Sequence, residues 1–223
     1  MIKRILGFGI IFVVAVGTAY LLVLNKPKTP RALPVYNPVD VEEGLVDTSI
    51  REKSHGHTIG SFSFTNQKNQ RVTDKIIEGK VFVAEYFFTT CGSICPKMNA
   101  QMQRVQAAFQ ENDRFKILSF TVDPETDTPE KLATYAKNHR ANSNQWIFLT
   151  GIKDSLYALA RTSFFILKPA EVANLGDANS DFIHTNNFVL VDKRRQIRGY
   201  YDGTQEKEVN RLIQDVHTLL EEK

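Results

Sequence analysis

The chain has 223 residues, 42% of them hydrophobic and 24% charged, which is the composition of a globular protein and not of a disordered or fibrous one. Its net charge of +3 arises without any Lys/Arg run interleaved with aromatics, which argues against a nucleic-acid partner. One folded domain with an appendage is the expected organisation.

The appendage comes first. Ile5 to Leu24 carries no charge and as a helix would rise about 30 Å, one bilayer crossing. Lys3, Arg4 and the small residues Ala15-Val16-Gly17 also fit a cleaved signal peptide. The apolar run continues to Leu24, however, beyond the roughly 7–15 residues of a signal h-region. Residues 1–24 are therefore expected to form a transmembrane helix that anchors the protein. Basic residues on its two sides nearly balance, so charge alone does not orient it. A short anchor ahead of a large soluble region with a cysteine pair predicts a domain exported to the extracytoplasmic, periplasmic-type side. Residues 25–55, with Pro27, Pro30, Pro34 and Pro38, read as an extended tether that contributes nothing to a core. Residues 56–223 are then one domain, large enough to fold without covalent staples.

Within that domain, Phe62 and Phe64 alternate with polar residues and are followed by a turn-rich stretch and Val72, which predicts an edge hairpin. Val81 to Phe88 is almost continuously apolar, as a central strand covered on both faces would be. Met98, Met102, Val105 and Phe109 have helical spacing. Phe115–Val122 reads as a strand, Asp127-Thr128-Pro129-Glu130 as the start of a helix running to about Asn138, Trp146–Leu149 as a short strand and Ile152–Phe164 as a helix. A hairpin is expected over Phe188–Asp192 and Ile197–Tyr201, then a terminal helix striped by Val209, Leu212, Ile213, Val216 and Leu220. Alternating strands and helices indicate an α/β sheet with helices on both faces.

The only two cysteines, Cys91 and Cys95, fall between the central strand and the helix that follows it. Four residues apart, they share one face of a helical turn. A helix N-terminus favours thiolate, the form that attacks disulfides and ligates soft metals. The alternative is a structural disulfide, but a bridge closing so short a loop stabilises little.

Three segments together carry a resemblance. Thr90-Cys91-Gly92-Ser93-Ile94-Cys95-Pro96, Thr121-Val122-Asp123-Pro124-Glu125-Thr126-Asp127-Thr128-Pro129, and Phe182-Ile183-His184-Thr185 resemble, in order and spacing, the Sco/SenC copper chaperones of cytochrome c oxidase assembly. The similarity runs from about Thr58 to Leu220. It implies a thioredoxin-like fold with a central mixed sheet flanked by helices, an N-terminal membrane anchor, and a copper site built from Cys91, Cys95 and His184. It also implies a copper-accepting subunit of cytochrome c oxidase, or another copper protein, as partner. Two sulfurs and one imidazole can hold Cu(I) and Cu(II), although zinc accepts the same donors. The competing function is a thiol–disulfide oxidoreductase that uses the same pair to reduce the cysteines of a copper acceptor. A thiol peroxidase is a weaker third reading.

Many family members place an acid directly before the histidine, where this chain has Ile183. Asp123 is the candidate carboxylate to support the His184 ring, its alternative being a turn-forming residue before Pro124. Glu85, which interrupts the central strand, can exchange a proton with Cys95, as the buried acid of thioredoxins suggests; the competing reading is a partly exposed acid paired with Lys or Arg. His55 and His57 could chelate a metal but lack a third donor. His139 at a helix end, His217 on the terminal helix, and Met98 and Met102 on a core stripe are read as structural.

Overall fold

The structure, a computed structural model, describes residues 16–18, 32–41, 46, 56–166 and 186–222. Of the expected span Ile5–Leu24 only the helical residues 16–18 are described. Among the described residues no helix is long and apolar enough to cross a membrane. Leu33–Lys223 forms one compact unit.

Strands form where β-branched and aromatic residues cluster, and helices where apolar residues recur every three to four positions. In chain order the elements are β1 (Ser63–Asn66), β2 (Arg71–Thr73), β3 (Val81–Phe87), α1 (Cys95–Ala108), β4 (Phe115–Thr121), α2 (Pro129–Asn138), β5 (Trp146–Thr150), α3 (Lys153–Leu159), β6 (Asn187–Val191), β7 (Ile197–Asp202) and α4 (Glu206–Glu221). The strands make one sheet in the order β2-β1-β5-β4-β3-β6-β7. β3, β4 and β5 are parallel, while β1, β6 and β7 run antiparallel to their neighbours. The expected mixed sheet with flanking helices is therefore present.

The period-two alternation of strand side chains divides the core. Phe82, Ala84 and Tyr86 of β3, with Leu118 and Phe120 of β4, face α3, residues 160–166, Val46 and Ile59. Val81, Val83 and Phe87, with Phe115, Ile117, Trp146 and Phe148, face α1, α2 and α4. By the same alternation Glu85 and Ser119 point to the second face, the side that α1 covers.

Two expectations need correction. The stretch 25–55 is not free of core residues, because Leu33 and Val46 are buried and Tyr36 bridges to Ile197 at the edge of the sheet. At Leu33 and Pro34 the segment is tied down by Arg198, whose guanidinium lies inside the protein. It forms ion pairs with Asp192 at 2.9 Å and Glu222 at 3.0 Å, and it donates to the carbonyls of Leu33 at 2.8 Å and Pro34 at 3.0 Å. A buried guanidinium needs acceptors for its five N–H groups, and the backbone of this strap supplies two of them. The second correction concerns the helix expected over Ile152–Phe164. It is α-helical only to Leu159 and widens into a π turn over Ala160–Phe164, which ends at Phe165 in the left-handed region (φ 54°). The widening lets the adjacent Phe164 and Phe165 both be fully buried, which successive residues of a regular helix, about 100° apart, rarely achieve.

Candidate metal and thiol site

The β3 strand ends at Phe87, and the chain turns through Thr89 and Thr90 to Cys91 before α1 opens at Cys95, with Pro96 in its first turn. Pro96 carries no N–H, and those of Lys97 and Met98 donate to the Ile94 carbonyl, while the Cys95 N–H is directed at Cys91, at the helix end that favours negative charge. Both cysteines are free thiols, Cys91 partly exposed and Cys95 buried. The Cys91 N–H donates to the Phe88 carbonyl at 3.3 Å, and the Cys91 sulfur lies 3.8 Å from the Ser93 hydroxyl.

The two thiols are electrostatically unequal. Partial burial works against ionisation of Cys91. Hydrogen bonds from the Cys95 thiol, from the backbone N–H groups of Ser93 and Cys95 and from the Ser93 side chain outweigh it and hold the Cys91 pKa below the usual thiol value. Cys95 moves the other way. Burial, its donation to Cys91, and the negative charges of Cys91 and Glu85 push its pKa far above that value. Cys91 is thus the more readily ionised thiol and Cys95 its proton-bearing partner.

Glu85 is 1% exposed, which overturns the reading of a half-exposed acid paired with Lys or Arg. Its carboxylate accepts from Ser119 Oγ at 2.6 Å, and Ser119 Oγ in turn accepts from Trp146 Nε1 at 2.7 Å. Burial raises the Glu85 pKa to about 7, against the opposing hydrogen bond from Ser119. Its negative charge is among the causes that raise the pKa of Cys95 and of Tyr135.

Asp123 occupies a turn. Its N–H donates to Thr121 Oγ1 at 2.9 Å, its carboxylate accepts from the Thr126 N–H at 3.4 Å, and its carbonyl accepts from the Asp127 N–H at 2.8 Å. Asp127, read from sequence only as part of a helix start, does something else. The helix cap is Thr128, which accepts from the Lys131 N–H. Asp127 is fully buried, and its carboxylate accepts from the Thr89 N–H at 3.3 and 3.2 Å, from the Thr89 hydroxyl, and from Thr121 Oγ1 at 2.5 Å. The signal was available in the sequence, since a helix capped by Thr128 leaves the preceding aspartate without a role.

His184 lies outside the described residues, as do Ile183 and His55. His57 is not a chelating residue: its Nε2 sits 2.8 Å from the Ser163 carbonyl and its ring packs 4.4 Å from that of Phe165. His139 packs on Tyr135 and His217 on Phe109, and Met98 and Met102 are core residues. Beside the thiol turn a cleft of about 360 Å³, lined by Thr89, Lys131, Thr134 and Tyr135 among others, opens to solvent.

The SCO1/SenC family profile matches residues 50–221. The chain belongs to the SCO1/SenC family. The SCO1 protein homolog of Bacillus subtilis (strain 168) is 32% identical over 164 residues, 72% of this chain and 81% of that protein. Among solved structures, BsSco, described as carrying a disulfide switch and as a member of the Sco family of cytochrome c oxidase assembly proteins, is 31% identical, with a TM-score of 0.62 over 75% of this chain and 95% of that one. The copper-bound structure of Bradyrhizobium japonicum ScoI shares the fold, with a TM-score of 0.58 at 22% identity over 74% of this chain and 99% of that one. The Sco domain of this chain accordingly has the family's thioredoxin-like architecture.

Proposed function

We propose that this Sco protein is a metallochaperone that binds copper through Cys91, Cys95 and His184 and passes it to the copper-accepting subunit of cytochrome c oxidase or another copper protein. The observation that carries the reading is the pair of reduced sulfurs, Cys91 in the loop before α1 and Cys95 at its first residue, with Cys91 accessible and its pKa lowered. Accessible thiolate is the ligand form for a soft cation. Among the described residues no three His, Cys, Asp or Glu side chains cluster as a complete metal site, and the third donor in this reading is His184, outside those residues. His184 is suited to supply it. β6 is antiparallel to β3, with Ala84 opposite Val189, so Asn187 begins β6 at the end of the sheet where the cysteines lie. His184 precedes Asn187 by three residues in the sequence.

When copper is taken up, Cys95 must lose its proton. Glu85, with a pKa near 7 and its charge felt at Cys95, is suited to receive it. Three ligands leave a coordination position open to a partner's donor, unlike the closed four-ligand sites of structural zinc. We further propose that the apolar stretch Ile5–Leu24 holds this domain at the extracytoplasmic face of a membrane.

The test is anaerobic titration of the reduced protein with Cu(I) and Cu(II). Cys91→Ser and Cys95→Ser should each abolish tight binding, and His184→Ala should weaken the thiolate-to-Cu(II) charge-transfer band while leaving the thiols reducible. An unchanged copper spectrum in His184→Ala would reject this ligand set. It would favour the second reading, a thiol–disulfide oxidoreductase, which the unequal thiols and the carboxylate near Cys95 also support. In either case the fully oxidised protein should not load copper, because bridged sulfurs cannot act as two thiolate ligands.

A further inference from the structure

We infer that Asp127 is a positioning residue for the thiol pair, acting through Thr89 to fix the turn that holds reduced Cys91 against Cys95. The inference deepens the thiol site proposed above, but its test needs no copper.

β3 and β4 are neighbouring parallel strands whose last paired residues are Phe87 and Thr121. Just beyond them the Asp127 carboxylate joins the two chain ends, taking both the N–H and the hydroxyl of Thr89 from one and the Thr121 hydroxyl from the other. No salt bridge to this fully buried carboxylate is found among the described residues. Burying an acid without a cation is costly unless hydrogen bonds compensate, and an apolar side chain would fill the same space without that cost. What the carboxylate adds is direction. It holds Thr89 two residues before Cys91, at the base of the turn in which the Phe88 carbonyl accepts from the Cys91 N–H. That turn aligns the Cys95 thiol and the N–H groups of Ser93 and Cys95 on the Cys91 sulfur. The bond from the Cys95 thiol is lost when the disulfide forms, and the two N–H groups hold a thiolate more strongly than a disulfide sulfur, so the anchor stabilises the dithiol relative to the disulfide.

The exchange to be measured is balanced. One reduced protein and one glutathione disulfide give the Cys91–Cys95 disulfide and two glutathiones, each protein thiol releasing one proton and the pair two electrons. Loosening the anchor should move this equilibrium toward the protein disulfide. In the metal-free protein equilibrated with glutathione buffers, Thr89→Val, which keeps the shape and the N–H but removes the hydroxyl, and Asp127→Asn should each raise the disulfide-forming constant about three- to tenfold. At about 30 mV per tenfold for two electrons, this lowers the reduction potential by about 15 to 30 mV. Thr89→Ser should restore the wild-type value to within about twofold, since a hydroxyl donor returns.

If Thr89→Val and Asp127→Asn lower the unfolding midpoint but equilibrate with glutathione as wild type does, the anchor is structural only and the inference is overturned. It is equally overturned if Asp127→Asn alone shifts the equilibrium, and toward the dithiol, since that would mark an effect of charge and not of position. Should Asp127→Asn fail to fold, the Thr89→Val and Thr89→Ser pair decides the matter. Copper titration of the wild type reports separately on the metal reading.

Discussion

Replacing Glu85 by Gln removes a buried ionisable group without changing its shape, and its effect on stability can be worked out from the site. The folded protein holds the Glu85 pKa near 7, against 4.5 for an unperturbed glutamate, because burial opposes the charge more than Ser119 relieves it. Between those values the unfolded chain has lost the proton and the folded chain keeps it, so stability falls as pH rises from about 4.5 and levels off above about 7. At roughly 1.4 kcal/mol per pH unit the full loss is on the order of 3 kcal/mol. Glu85→Gln does not ionise, so this component should vanish. The variant should match wild type near pH 4 within the effect of the amide itself, and exceed it by about 3 kcal/mol at pH 8. Urea unfolding of the reduced, metal-free proteins from pH 4 to pH 8 measures the difference, and subtracting variant from wild type cancels the titration of other groups. A difference independent of pH would refute the argument. If Glu85 also takes the Cys95 proton, the same variant should slow copper uptake near pH 7 while leaving the number of bound ions unchanged.

Iodoacetamide at pH 7 should modify Cys91 at least about tenfold faster than Cys95, because only Cys91 has a lowered pKa and only it is partly exposed; peptide mapping would show a reversed order if the assignment is wrong. A chain beginning at Lys53 should fold but be less stable than one beginning at Arg31, by on the order of 4 kcal/mol, since it loses the burial of Leu33 and Val46 and two acceptors for Arg198. Equal denaturation midpoints for the two chains would show that the strap contributes nothing. Arg198→Ala should cost about 3 kcal/mol in the full chain, because Asp192 and Glu222 lose their partner, and less in the chain beginning at Lys53, where the strap contacts are already absent; full additivity in the double variant would contradict a shared clamp.

The sequence by itself determined the order of strands and helices, the placement of Cys91 and Cys95 between β3 and α1, and the core roles of Met98 and Met102. These follow from hydrophobic period, turn chemistry and spacing, which are local properties of the chain. The three motifs also carried the family. Only the tertiary structure decided the rest. Glu85 lies 34 residues from Ser119, and nothing local says that the strand position opposite it offers a hydroxyl in place of a cation; the parallel pairing of β3 with β4 does. Asp127 looked like part of a helix start because its sequence neighbours are Thr128 and Pro129, yet its partner Thr89 is 38 residues away and becomes adjacent only when two strand ends meet. The proline-rich strap looked like a spacer because its composition is that of one. It joins the domain because Arg198, 165 residues beyond Leu33, buries a charge that needs the strap's carbonyls. Sequence pattern reports which face of an element avoids water, whereas the partner of a buried polar group is set by which segments the fold brings within hydrogen-bonding distance.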